Sequence, residues 1–272
     1  MRDFSISPRE MVACVWRNRA LIAALTRREV VGRYRGSMLG ILWSLFNPIF
    51  MLGVYTFVFG VVFKARWSDA GESKGQFALV LFAGMIVFNL FAECANKAPG
   101  LILGNVNYVK KVVFPLEILA VVAVGSALFH TFVNVVVWLI FYLVEVGVPQ
   151  LTALAFPLAL LPVIFFASGL GWLLGSLGVY LRDVGQIVGI LTTVVMFLSP
   201  IFFPASALPD AYRPFLALNP LAPAIGHMRD VLYWGKLMEP VPYLAYLIGC
   251  AAFAWICFAW FQKTRKGFAD VL

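Results

Sequence analysis

The chain has 272 residues, 62% of them hydrophobic and only 12% charged, with a mean hydropathy of +0.91. That balance excludes an ordinary soluble domain and places the chain in a membrane. The net charge of +8 lies beside apolar stretches rather than on a soluble fold, so it suits anionic lipid headgroups, and no nucleic-acid partner is expected.

In chain order, Ser7-Pro8-Arg9-Glu10 has the form of a capping box with proline at the first helical position. From there Met11, Val15, Ile22 and Leu25 share one face, which Asn18 interrupts. An interface helix over residues 7–26 follows, lying on the cytoplasmic surface or packed on a partner protein; the two are compatible. Residues 1–38 lack the apolar core of a cleavable signal peptide. Six spans are expected at 39–63, 77–92, 118–144, 151–181, 184–203 and 242–261, the fourth interrupted by Pro157 and Pro162. The resulting fold class is an all-α integral membrane protein. It comprises a cytoplasmic segment (1–38), one six-span domain (39–262) and a cytoplasmic tail (263–272). Fifteen of the 21 Lys and Arg fall in 1–38, 93–117, Arg182 and 263–266, which puts both termini in the cytoplasm.

Small residues recur at four-residue spacing in Gly36/Gly40/Ser44, Gly185/Gly189/Thr193 and Gly171/Gly175. Such rows let membrane helices approach closely and suggest a tight bundle and an oligomer. A short helix is expected in the loop before the third span, and a tight turn at Tyr180-Leu-Arg-Asp183. The outer segment carries Pro204, Pro209, Pro214, Pro220 and Pro223 among Phe215, Leu216 and Leu218, which predicts short helices dipping back toward the membrane.

Several chemistries have no residues to carry them. No phosphate loop is present: Gly235-Lys236 lacks the upstream glycine and is followed by Leu237, so the chain is not an ATPase. Glu93, Glu117 and Glu145 are read as anchors at span ends rather than an acid–base pair. The four cysteines, Cys14, Cys94, Cys250 and Cys257, have no metal-ligand spacing, and no metal is expected. His130, one turn from Asn134, is the only ionisable side chain near the middle of a span. It reads either as a functional group or as a neutral histidine bonded to a neighbouring helix. Proton-coupled transport is the weaker reading, because such a pump needs more than one such group. Ser44, Asn47 and Tyr55 of the first span, and Gln186, Gly189, Thr193, Met196 and Phe197 of the fifth, form mixed small, polar and aromatic faces. Such faces suit a pathway for an amphiphilic or sugar-bearing substrate, and equally suit helix packing.

Four blocks now bear on the family: RREVVGRYRGSMLGILWSLFNPI, YVKKVVFPLEIL, YLRDVGQIV and SPIFFPASALPDAYRPFLALNPL. Together, and in order, they resemble the polysaccharide-export permeases of the ABC transporter superfamily, most nearly those that export O-antigen. Teichoic acid exporters are similar, and group 2 capsule exporters less so. The resemblance implies a homodimer, two copies of a separate ATPase subunit that binds ATP and Mg, and no cofactor in this chain. It implies a coupling helix near 100–111, making Asn105, Tyr108, Lys110, Lys111, Arg182 and Asp183 candidate ATPase contacts. It also implies a channel lined by spans 1 and 5. The expected cargo is an undecaprenyl-diphosphate-linked polysaccharide crossing the bacterial inner membrane. Arg27, Arg28, Arg33 and Arg35 would attract its diphosphate, or serve only as orienting charges. A related exporter of teichoic acid, capsule or a hydrophobic drug is one alternative; a membrane-embedded glycan-modifying enzyme is another.

Overall fold

Ser7 opens the chain's first helix: its hydroxyl accepts from the Glu10 N–H at 3.1 Å, and Pro8 takes the first turn. The computed structural model describes residues 5–62, 67, 74–111, 114–204, 209–212, 214, 216 and 218–272. Helix α1 (Pro8–Arg17) is followed by α2 (Arg19–Tyr34). Only half of the capping box forms, because the Glu10 carboxylate pairs with Arg17 at 2.7 Å instead. Asn18 is where one helix becomes two, its side-chain amide bonding back to the Cys14 carbonyl at 2.8 Å. Met11, Cys14, Leu25 and Val30 are buried, while Val15 and Ile22 are half-buried. The second helix runs on past the expected limit at Thr26 to Tyr34.

The spans come next. Helix α3 (Trp43–Tyr55) starts from a 3-10 turn at Gly40–Leu42 and continues as a π-helix over Thr56–Val62. Phe63, the expected end of this span, lies outside the described residues, as do Gly71 and most of the loop there, and Phe215 further on. Helix α4 (Lys74–Lys97) is longer than the expected 77–92 and is the centre of the bundle. Leu79 to Ala83 of α4 are almost wholly enclosed. Helix α5 (Val106–Lys111) is the short helix expected in the loop, after 3-10 turns at Ala98–Gly100 and Leu103–Asn105. Helix α6 (Ile118–Glu145) closes on α4, where the Trp138 indole N–H donates to the Leu79 carbonyl at 2.8 Å.

Helix α7 (Phe156–Tyr180) follows a 3-10 turn at Leu151–Ala155, so Pro157 falls in its first turn, where its missing N–H costs nothing. The row Gly171/Gly175 does pack: a Cβ at Gly171 would stand 2.8 Å from the Ala120 Cβ on α6. The row Gly36/Gly40 does not. Both have positive φ (84° and 52°) with open space around them, and they turn the chain from α2 into α3. Helix α8 (Val184–Leu198) has 15 residues, about 22 Å, against a hydrocarbon core of about 30 Å. It stops before the expected 203 because Pro200 forces Ser199 into extended geometry (φ −85°, ψ 148°).

Helix α9 (Ala222–Arg229) and the π-turn Asp230–Trp234 form the expected re-entrant element. Ile225, Met228, Val231 and Leu232 are fully enclosed. Arg229, counted among the outer cations, is buried within the bundle. Its guanidinium donates to the carbonyls of Val80 (3.0 Å), Pro200 (2.6 Å) and Ile201 (2.8 Å) and stacks over Trp67. It thereby meets the backbone carbonyls that α8 exposes where it breaks. Helix α10 (Pro240–Thr264) packs along α7, and α11 (Phe268–Val271) ends the chain. At the end of the bundle that carries both termini, Glu117 accepts from Arg265 at 2.6 Å and from the Cys14 thiol at 3.4 Å. Among the described residues the architecture is all-helical: five helices long and apolar enough to span a membrane, plus the shorter α8.

Candidate functional site

Three helices turn polar stripes toward one another. On α3 the stripe is Ser44, Asn47, Met51 and Tyr55; on α4, Asn89, Glu93 and Asn96; on α6, Ser126, His130 and Asn134. Steps of three and four residues keep each series on one face. Together with Trp43 and Phe82 they line a cavity of about 840 Å³. Ser44, Asn47 and Tyr55 are therefore brought together as expected.

The terminus-bearing end of this cavity is charged. Glu93 accepts from Arg33 at 2.6 Å and from the His130 Nδ1–H at 2.9 Å. The imidazole's other nitrogen, Nε2, lies 3.1 Å from the Tyr34 hydroxyl, which donates to it in this tautomer. Glu29 and Lys97 make a second ion pair beside them. His130 is thus a bonded histidine, held by α2 and α4 at once. Glu93 is no loose span-end anchor: α4 runs one turn beyond it, and its carboxylate joins three helices. Glu117 does stand at a span end, just before α6, and anchors it by pairing with Arg265, but it is buried there. Ending the second span at 92 hid the series Asn89, Glu93 and Asn96, whose spacing is visible in the sequence.

The α8 residues lie elsewhere. Gln186, Gly189 and Thr193, with Arg182, line a shallow open groove of about 630 Å³ on the surface of α8. Met196 turns half inward against the core, and Phe197 is exposed beside Phe202. The two predicted faces form separate recesses within one chain. Asn96 stands between them, lining the cavity while facing the Thr192 hydroxyl of α8 at 3.5 Å.

The four arginines do not make one patch. Arg33 is paired with Glu93, Arg28 donates to the Tyr108 hydroxyl at 3.1 Å, and Arg27 and Arg35 are exposed. A helical turn of 100° per residue scatters them. In the loop after α4, Asn105 bonds back to the Leu101 carbonyl at 2.9 Å, and Tyr108 stacks on Phe114 with ring centres 4.3 Å apart. Lys110 bonds the chain's last carbonyl at Leu272, and Lys111 ends α5. Arg182 and Asp183 are exposed in the α7–α8 turn.

A helical membrane bundle with a polar cavity and a re-entrant element has the form of a transport subunit. The sequence model of the ABC-2 type transporter family matches residues 20–233, and the chain belongs to that family. It is 26% identical to the O-antigen export system permease protein RfbA of Myxococcus xanthus, over 96% of this chain and 98% of that protein. It is 24% identical to an RfbA permease of Klebsiella pneumoniae, over 93% and 95% of the two chains. The polysialic acid transport protein KpsM of Escherichia coli is 25% identical over 81% and 84%.

Proposed function

We propose that this chain is the transmembrane subunit of an ATP-driven exporter that moves lipid-linked O-antigen polysaccharide across the bacterial inner membrane. The observation that carries this reading is end-to-end similarity to O-antigen export permeases. The chain's own residues are consistent with it: a polar, aromatic-flanked cavity amid apolar spans. The working assembly is two copies of this chain with two copies of a separate ATPase. That partner docks on the cytoplasmic end, at α5 and the α7–α8 turn, where Arg182 and Asp183 are exposed. Both termini are cytoplasmic, and Arg27 and Arg35 face the incoming lipid diphosphate. Capsule export is the second reading, favoured by the similarity to the capsule polysaccharide export inner-membrane protein CtrC of Neisseria meningitidis, 28% identical over 75% of each chain.

Deletion of the gene in its native host tests the reading. The expected result is loss of surface O-polysaccharide with lipid-linked glycan accumulating inside, restored by the gene together with its ATPase. The purified chain alone should not hydrolyse ATP. Wild-type surface glycan after deletion, or robust hydrolysis by the chain alone, would overturn it.

A further inference from the structure

Three of the amides around the cavity are unusual for a membrane protein. Asn47 on α3, Asn89 on α4 and Asn134 on α6 all line it, and among the described residues none has a hydrogen-bond partner in the protein. Asn96, by contrast, donates to the Ala92 carbonyl at 2.9 Å. An amide facing hydrocarbon without a partner is costly, so these three must meet water or a ligand that hydrogen-bonds. Each offers a donor and an acceptor, which matches a group that does both. The charged end narrows the ligand class further. Arg33 and Lys97 are offset by Glu93 and Glu29, so the walls carry little net field to hold an anion. Trp43 and Tyr55 add aromatic surface. The volume, about 840 Å³, is in the usual range for small-molecule sites, about 300–1,000 Å³.

We infer that the cavity between α3, α4 and α6 is a binding site for the uncharged sugar residues of the cargo, held by the Asn47, Asn89 and Asn134 amides, and not for its diphosphate. The inference rests on the export reading above and adds two helices, α4 and α6, to the groups that touch the glycan. The hydroxyls of a sugar exchange hydrogen bonds with the three amides while its apolar ring face lies against Trp43 or Tyr55. A shallow groove such as that on α8 encloses no ligand in this way, although it opens to the surface.

Cysteine labelling tests this. Asn89→Cys, Asn134→Cys, Thr193→Cys and Phe132→Cys are placed singly in a chain whose native cysteines are replaced, and Phe132 serves as a control on the outer side of α6. Membranes are treated with a water-soluble thiol reagent. They come from cells that make the lipid-linked glycan, with the ATPase arrested by a catalytic substitution, and from cells unable to start its synthesis. The expected result is labelling at 89 and 134 that slows several-fold when glycan is present, and no change at 132. Equal labelling at 89 and 134 in both membranes, with protection at 193, would overturn the cavity site and leave the export reading intact. No labelling at 89 or 134 under either condition would show a dry cavity and also overturn it. Glycan-independent labelling at every position, with surface glycan unaffected by gene deletion, would instead remove the export reading. In parallel, Asn134→Leu should lower export roughly fivefold, about one lost hydrogen bond, and Asn134→Gln should restore part of it. Wild-type export by Asn134→Leu would count against the site even if the cysteine variants fold poorly.

Discussion

Arg229 shows how one side chain can hold an irregular backbone inside a membrane bundle. Its three carbonyl partners belong to α4 and to the chain just after α8, so it fastens the re-entrant element to the broken end of a span. Arg229→Met would leave the Pro200 and Ile201 carbonyls without that donor, at about 1–3 kcal/mol for each one left unsatisfied. A marked drop in thermal unfolding temperature in detergent is expected, with only partial recovery in Arg229→Lys, because an ammonium lacks the planar fork. Equal stability of Arg229→Met and the unmodified chain would refute that role. Cys14 gives a second check on the terminus-bearing end. Burial, and then the neighbouring Glu117 carboxylate, push its thiol up to about 12, so the thiol stays protonated at neutral pH. Cys14 should therefore resist maleimide in the folded protein and react on denaturation, as peptide mass spectrometry would show.

At the scale of the element, small residues differ by what faces them. Helix α7 is pressed against the loop after α4: a Cβ on Gly178 would overlap the Pro99 carbonyl, which is backbone and cannot swing away. Gly185 on α8 has nothing within 4 Å. Gly178→Ala should cost about 1–3 kcal/mol of stability through overpacking, whereas Gly185→Ala should be close to neutral in the isolated chain. Thermal unfolding of the two purified variants compares them directly. The rows at Gly171/Gly175 and Gly185/Gly189/Thr193 look alike as sequence, yet one is used within the chain and the other faces outward.

Across the whole molecule, α3 and α8 are among the helices that turn apolar faces outward, as are α6 and α10. Phe46, Ile49 and Phe50 on α3, and Ile187, Ile190 and Leu191 on α8, are exposed, so lipid or the proposed second copy must cover them. Ser44 faces the cavity and Gly189 the open groove. Ser44→Trp should block surface glycan while leaving the four-chain complex assembled and hydrolysing ATP. Gly189→Trp should lower the yield of assembled dimer, because a small-residue interface tolerates little added volume. Purification of each complex followed by ATPase assay separates the two outcomes; full assembly and full export by both variants would dismiss both roles.

The break of the first helix at Asn18 came from the structure, whereas the sequence alone determined that the chain is built of apolar helical spans preceded by a helical segment, with a short loop helix and a re-entrant segment. Those follow from apolar length, capping residues and prolines, which act within a few residues of where they stand. It also marked Ser44, Asn47, Tyr55, His130 and Asn134 as polar residues out of place in apolar helices. Tertiary structure alone decided which of them meet. Glu93 joins His130 and Arg33, Arg229 lies inside the bundle, and the α8 face stands apart from the cavity. Position within the bundle is hidden because hydrophobicity is the same whether a residue faces lipid or protein. The enclosed α4 and the exposed α3 are both apolar enough to cross a membrane, and only the crossing of helices tells them apart.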